Sequence, residues 1–265
     1  MVCERRQMNA FLVGSVAVRL VIVNGPPGTS AAFTPDEIAR IRAFSLRGLA
    51  ILSVLAARQP TRPRLSWRLN FSVESISQPP LPLNQNPTTS GDVESREAPW
   101  RDAVLRKLVG DTGPTGLRRL RAASIGGADH AVIVLWTRYE AAWLAYAQDD
   151  EAKLIMCWPL WDMARTNHSL SEAPRALAHE ICHLFGAPDE YRRSQCTVLR
   201  EDDGSGVGGC GFGNLDFPNF NCALVNPRPV PCLMAANTSR EICPATVAHL
   251  GWVDSNQDGV LDVFQ

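Results

Sequence analysis

The sequence predicts an α/β (α+β) chain whose strands and helices alternate along its first two thirds and give way to a loop-rich C-terminal part. Two observations predict it. Stretches with period-two apolar alternation are interleaved with stretches whose apolar residues recur at helical spacing. Five of the 8 cysteines then fall between Cys196 and Cys243, in a segment rich in Gly, Asn and Pro. At 265 residues and 45% hydrophobic content, the chain can bury a substantial core. Its 26 basic and 27 acidic residues nearly cancel. That balance leaves no electrostatic footprint for nucleic acid or for an anionic membrane surface.

The elements follow in order. "MVCERRQMNAFLVGSVAVRLVIVNG" starts basic and turns apolar, as an export signal does, but Arg19 interrupts the run and no small-x-small cleavage pattern follows. Alternation accounts for it better: Val16, Val18, Leu20 and Ile22 fall on one face of a strand and Ala17, Arg19, Val21 and Val23 on the other. The apolar run is too short to span a bilayer. After the turn "NGPPG", "TPDEIARIRAFSLRGLAILSVLA" opens with Thr34 as N-cap, Pro35 in the first turn and Glu37 at the third position, and predicts a long helix. "RLSWRLNFSVESI" alternates as a strand, and "SQPPLPLNQNPTTSGDVES" reads as a loop. "APWRDAVLRKLVG" and "GPTGLRRLRAAS" predict short helices, and "HAVIVLWT" and "KLIMCW" predict strands. The continuous apolar character of "HAVIVLWT" suits a strand covered on both faces.

"SLSEAPRALAHEICHLFG" predicts the next helix, with Ser171 as N-cap, Glu172 and Pro174 in its first turn, and Gly186 where it stops. Ala173, Leu177, Ile181 and Leu184 make one core-facing stripe. His179 and His183, four residues apart, project together from a different face. Two imidazoles at that spacing can reach one zinc ion at about 2.0–2.1 Å. Glu180, about 100° further round the helix, can face a water on the metal and act as general base in hydrolysis. A catalytic zinc needs a third protein ligand and an open position. Gly186 can take a left-handed conformation that turns the chain back under the helix, and Asp189 then arrives six residues after His183. Asp189 is the expected third ligand, with Glu190 as a near competitor and Glu201 or Glu241 if the ligand comes from a more distant segment.

"HEICHLFGAPD" resembles the zincin signature in its metzincin extension, with Asp189 where most metzincins carry histidine. It is similar to the aspartate-ligand zincins, of which snapalysin is an example. The resemblance implies a zinc endopeptidase with a twisted mixed sheet, an active-site helix and a smaller C-terminal subdomain. "PCLMAANTSREIC" supplies Met234 for the methionine-containing turn of metzincins, as a hydrophobic floor under the histidine ligands. Where some metzincins place a tyrosine ligand two residues after that methionine, this chain has Ala236; Tyr191 is the nearest tyrosine. The aromatic residues of "WTRYEAAWLAYA" and "CWPLWDM" suit core and surface packing; the resemblance offers the alternative that the segment around Trp136 to Tyr146 borders the cleft, as the edge strand does in metzincins.

The expected organisation is a catalytic subdomain over 1–186, a Cys-rich subdomain with the methionine turn over 187–253, and a tail over 254–265. In the tail, Asp254, Asn256, Asp258, Val260 and Asp262 stand at calcium-loop spacing, although Gln265 takes the place of the closing glutamate; an acidic Asx-turn tail is the competing reading. The cysteines point to disulfides, since no Cys-x2-Cys pair suggests a second zinc site, and thus to an extracellular or cell-surface protein. Cys182 fits the core as a small apolar residue, and His130, His168 and His249 lack partners at ligand spacing. Cys3 is the residue that a zymogen would use to cap the zinc, with no supporting motif. The chain is expected to act as a monomer on a protein or peptide substrate. Two alternatives stand beside the peptidase: a non-peptidase zinc hydrolase, and a metal-stabilised binding module without catalysis.

Overall fold

Strand β1 (Gly14–Asn24) puts Val16, Val18, Leu20 and Ile22 into one hydrophobic layer and Val21 and Val23 into another, so the alternation in its sequence becomes two cores on opposite faces of one sheet. In this computed structural model the described residues are 11–79, 90–139, 144–148, 151–158, 170–191, 221–223 and 226–265. The sheet has five strands in the order β2-β1-β3-β5-β4, where β2 is Leu65–Ser75, β3 His130–Thr137, β4 Ala145–Gln148 and β5 Lys153–Cys157. Neighbours pair in parallel except β4, which runs antiparallel to β5 along one edge. The sheet is therefore mixed. All residues of β3 after His130 are buried, as its unbroken apolar run requires.

Helices cover both faces. Helix α1 (Pro35–Arg58) begins with the expected capping box: Glu37 N–H donates to Thr34 Oγ1 at 3.3 Å, and Thr34 N–H to Glu37 Oε2 at 2.8 Å. It shares its core layer with α4 (Ala173–His183), the helix that carries both histidines. At Gly48 the two helices come so close that a Cβ would lie 2.8 Å from the Pro174 carbonyl oxygen and 2.9 Å from Leu177 Cδ2. On the other face, α2 (Ser90–Val109) and α3 (Gly113–Ile125) pack Trp100, Val104, Leu105, Leu117 and Leu120 against Ile133, Leu135 and Ile155.

Helix α2 is longer than its sequence suggests. Residues through 95 read as loop, and Pro99 as the start of a helix; Pro99 instead lies inside it. Ion pairs hold the additional turn. Arg101 reaches back to Glu94 at 2.6 Å and to Glu97 at 3.4 Å. Glu97 is itself fully buried, accepting from Lys153 Nζ and from the Tyr146 hydroxyl, each at 2.6 Å, so that α2 is tied to β5 and to the edge strand β4.

The C-terminal segment closes back onto the first strand. Leu12 N–H donates to the Leu250 carbonyl at 3.1 Å, and the Trp252 indole N–H to the Leu12 carbonyl at 2.6 Å. Trp252 belongs to the same core layer as α4. Helix α5 (Pro244–His249) precedes this closure and is capped by Cys243, whose sulfur accepts from Thr246 N–H at 3.3 Å.

Two expectations are corrected. Cys232 and Cys243 are free buried thiols, as are Cys157 and Cys182, so the described part of the C-terminal segment is not disulfide-rich. It is held by buried polar contacts: Cys243 Sγ donates to Glu190 Oε1 at 2.9 Å, and Cys243 N–H to Cys232 Sγ at 3.3 Å. Cys222 is disulfide-bonded, while Cys3, Cys196 and Cys210 lie outside the described residues. In the tail, Asp254, Asn256, Asp258, Val260 and Asp262 do share one loop, but it is closed by its own donors. Asp258 and Gly259 N–H groups donate to Asp254, Ser255 N–H to Asp262 at 2.8 Å, and the Gln265 amide to the Val260 carbonyl at 3.1 Å and to Asp258. That is an Asx-turn tail, and it does not support calcium.

Candidate metal centre

Helix α4 is preceded by a short 3-10 turn, Leu170–Glu172, which puts Ser171 inside that turn and makes Glu172 the residue flanking the helix. The core stripe is as the spacing predicts, with Ala173, Leu177, Ile181 and Leu184 buried in one layer. Cys182 packs there too, as a small apolar side chain whose thiol burial pushes well above its usual range. Gly186 has φ 86°, the left-handed conformation that turns the chain back beneath the helix.

That turn delivers Asp189 to the histidines. Asp189 Oδ1 lies 2.9 Å from His179 Nε2 and 3.3 Å from His183 Nε2. The two imidazoles stand with centroids 4.7 Å apart and planes at 84°. Each is fixed at its other nitrogen by a backbone carbonyl: His179 Nδ1 donates to Leu233 O at 3.0 Å, and His183 Nδ1 to Ala187 O at 2.7 Å. Because a carbonyl only accepts, Nδ1 holds the proton in both rings. The Nε2 lone pairs are left for a cation.

Glu180 completes the cluster. One of its oxygens lies with ring nitrogens of His179 and His183 inside a 4.8 Å group able to hold an ion. Glu180 Oε2 is buried without a hydrogen-bond partner. Burial raises the pKa of the Glu180 carboxyl, with the histidine charges working against that and the Asp189 charge reinforcing it. Burial disfavours a charged His179, but the Asp189 carboxylate and the Glu180 charge outweigh it and push that imidazole up to about 9. At Asp189 burial likewise opposes the charge, and the two imidazoles prevail, holding its carboxyl well below the usual range. These groups form one coupled set in which the proton that Asp189 holds on His179 stands where a metal cation would; once that proton is displaced, two neutral imidazoles with an aspartate are a donor set that fits zinc.

The remaining candidates separate cleanly. Met234 is fully buried in the α4 core layer, and its neighbour Leu233 supplies the carbonyl under His179. Ala236 is exposed. Glu190 is fully buried and turned away from the histidines, toward Asn221, Cys243 and Thr246. Glu241 is exposed, and Glu201 lies outside the described residues. Tyr191, 43% exposed, stands beside Asp189; its phenol is raised by burial and by that carboxylate. His130 packs edge-on to Phe185 at 5.3 Å, His249 is buried, and His168 lies outside the described residues. Trp136 is buried and donates to Ser45 at 3.1 Å, which is the core-packing reading of that segment. Tyr146 is buried against Glu97. The carbonyls of Leu233 and Ala187 are the parts that sequence reasoning missed, and a backbone oxygen carries no signal in a sequence.

No protein-family model and no curated protein matches this sequence. Among solved structures, the chain is similar to a zinc-dependent peptidase from Methanocorpusculum labreanum, at 16% identity and a TM-score of 0.36, covering 88% of this chain and 99% of that one. It is also similar to the archaemetzincin of Methanopyrus kandleri, at 12% identity and a TM-score of 0.36, covering 94% and 97%. Among the described residues, no helix is long and apolar enough to cross a membrane.

Proposed function

We propose that this chain is a zinc-dependent endopeptidase of metzincin type, with His179, His183 and Asp189 as ligands and Glu180 as general base. One observation carries the reading: two imidazole Nε2 atoms, each fixed from behind by a carbonyl, converge on one aspartate oxygen beside a buried carboxylate that has an unsatisfied oxygen. A structural zinc site would fill its fourth position with a protein ligand and would have no use for that carboxylate.

The chemistry assigned to the residues follows from these positions. His179, His183 and Asp189 would hold a zinc ion, which when bound would supply Lewis-acid polarisation of a carbonyl and lower the pKa of water toward neutrality. Glu180 takes the proton from the attacking water and passes it to the leaving amine, a task suited to a carboxyl whose pKa burial has raised. Asp189 supplies a negative charge to the cation and keeps the pair of imidazoles oriented. The Leu233 carbonyl keeps His179 from rotating, and buried Met234 beside it anchors that turn in the core. The substrate is a protein or peptide, the working species a monomer, and the compartment extracellular or cell-surface.

The test is to purify the chain, quantify bound zinc, and follow cleavage of an unfolded protein with and without chelator, beside Glu180→Gln. One zinc per chain, chelator-sensitive cleavage, and a loss of roughly 10²–10⁴-fold in kcat for Glu180→Gln are expected. Undiminished cleavage by Glu180→Gln would remove the mechanism.

A further inference from the structure

The residue after the expected third ligand has its own, separate set of partners. Glu190 is fully buried. Its Oε2 accepts from Asn221 Nδ2 at 2.6 Å, and its Oε1 accepts from Thr246 Oγ1 at 2.8 Å and from Cys243 Sγ at 2.9 Å. Its backbone is bound as well: its N–H donates to the Met234 carbonyl at 2.9 Å, and its carbonyl accepts from Ala223 N–H at 2.9 Å. Four pieces of chain meet on one residue, namely the returning turn, the methionine turn, the first turn of α5 and the short stretch at Asn221 to Ala223. Burying a carboxylate is costly unless donors surround it, and here three donors do.

We infer that Glu190 is the positioning residue of the metal centre; this rests on the zinc reading proposed above. Two ligands depend on what it holds. Asp189 is its immediate neighbour, so anchoring Glu190 through its backbone and side chain also anchors the Asp189 Cα from which Oδ1 reaches the imidazoles. Its N–H fixes the Met234 carbonyl, one residue from the Leu233 carbonyl that orients His179. A single buried residue, through its backbone and its side chain together, thereby sets the third ligand and the support of the first ligand in one register. Asn221 extends the arrangement, since its amide also donates to the Val230 carbonyl at 3.0 Å and its Oδ1 accepts Val230 N–H at 2.8 Å, which braces the approach to the methionine turn. Glu190 touches neither the cation site nor a reacting atom, so its effect runs through Asp189 and Leu233.

The experiment measures metal affinity instead of turnover. Zinc dissociation constants are obtained by competition with a chromogenic chelator for the wild-type chain, Glu190→Gln and Thr246→Val, together with the visible spectrum of each Co2+-loaded form and the Tm of each metal-free form. Gln keeps the volume but replaces one acceptor oxygen by a donor amide, which either meets the Asn221 amide donor head-on or makes the Thr246 hydroxyl and the Cys243 thiol give up donating and turn round. Supporting groups behind metal ligands are worth about 10–100-fold in affinity, and a rise of that size in Kd is expected for Glu190→Gln, with an altered Co2+ spectrum. Thr246→Val, which deletes one donor and leaves Glu190 in place, should move both readouts in the same direction by less, and it decides the matter if Glu190→Gln does not fold. Wild-type zinc affinity and an unchanged Co2+ spectrum in the folded variants, with only the metal-free Tm lowered, would reduce Glu190 to a structural residue and overturn the inference. A wild-type chain that takes up no zinc would instead overturn the reading beneath it.

Discussion

The Leu233 carbonyl oxygen lies 3.0 Å from Nδ1 of His179, fifty-four positions away along the chain. Through this contact the methionine turn, which offers the cation no atom of its own, decides how one ligand is oriented. Met234, the next residue, is fully buried in the core layer of α4. Met234→Ala should therefore cost about 2–5 kcal/mol in urea unfolding and weaken zinc binding as the turn sinks into the cavity. Met234→Leu, which keeps the volume, should cost less than about 1.5 kcal/mol and leave zinc binding intact.

Asp189→Ala removes the oxygen on which both imidazoles converge. Its zinc affinity should fall well below that of any supporting-residue variant, as read by chelator competition, and cleavage of an unfolded protein should be lost with it. Retention of full activity without Asp189 would exclude it from the ligand set and return Glu201 or Glu241 to consideration.

Gly48→Ala tests the seat of the active-site helix. The added methyl would stand 2.8 Å from a backbone oxygen of α4 and 2.9 Å from Leu177 Cδ2, and backbone cannot yield as a flexible side chain can. Overpacking of this kind costs about 1–3 kcal/mol. The displacement of α4 should appear as a lower kcat as well as a lower urea midpoint.

Lys153→Met removes the cation from a fully buried pair with Glu97. Glu97 would keep the Tyr146 hydroxyl at 2.6 Å and Arg101 at 3.4 Å. Losing one partner of a buried pair costs about 3–5 kcal/mol. Calorimetric or denaturant stability should drop by that order, and β4 and β5 should show the greatest gain in amide exchange.

Acid should weaken the fold through His249. Burial lowers its pKa to about 4, against an ordinary value of 6.5. Above pH 6.5 the ring is neutral in both the folded and unfolded chain and contributes no pH dependence. As pH falls from 6.5 toward 4, the unfolded chain takes the proton first, so stability is lost across that window and levels off below it, by about 3 kcal/mol in all. Urea midpoints measured from pH 7 to 4 should show this slope in the wild type and a shallower one in His249→Phe.

Legibility in the sequence followed the range of the interactions. The strands Gly14–Asn24, Leu65–Ser75, His130–Thr137 and Lys153–Cys157 and the long helix from Pro35 all rest on local periodicity and capping, and they lie where the sequence puts them. So does the Gly186 turn, because a left-handed residue after a helix is a local signal. The early start of α2 was hidden because its ion pairs were outweighed by the apparent breaker Pro99. The free thiols at Cys232 and Cys243 were hidden for a different reason: cysteine spacing says nothing about whether a buried carboxylate stands between two segments. The carbonyl supports of His179 and His183 have no side-chain signature at all.

The closure between Leu12, Leu250 and Trp252 joins positions some 240 residues apart, and contacts of such sequence separation form late because the intervening chain must first be ordered. A growing polypeptide carries both imidazoles well before it carries the carbonyl that orients one of them. The histidines therefore acquire their working geometry only when the segment that follows them by some fifty residues has docked beneath them.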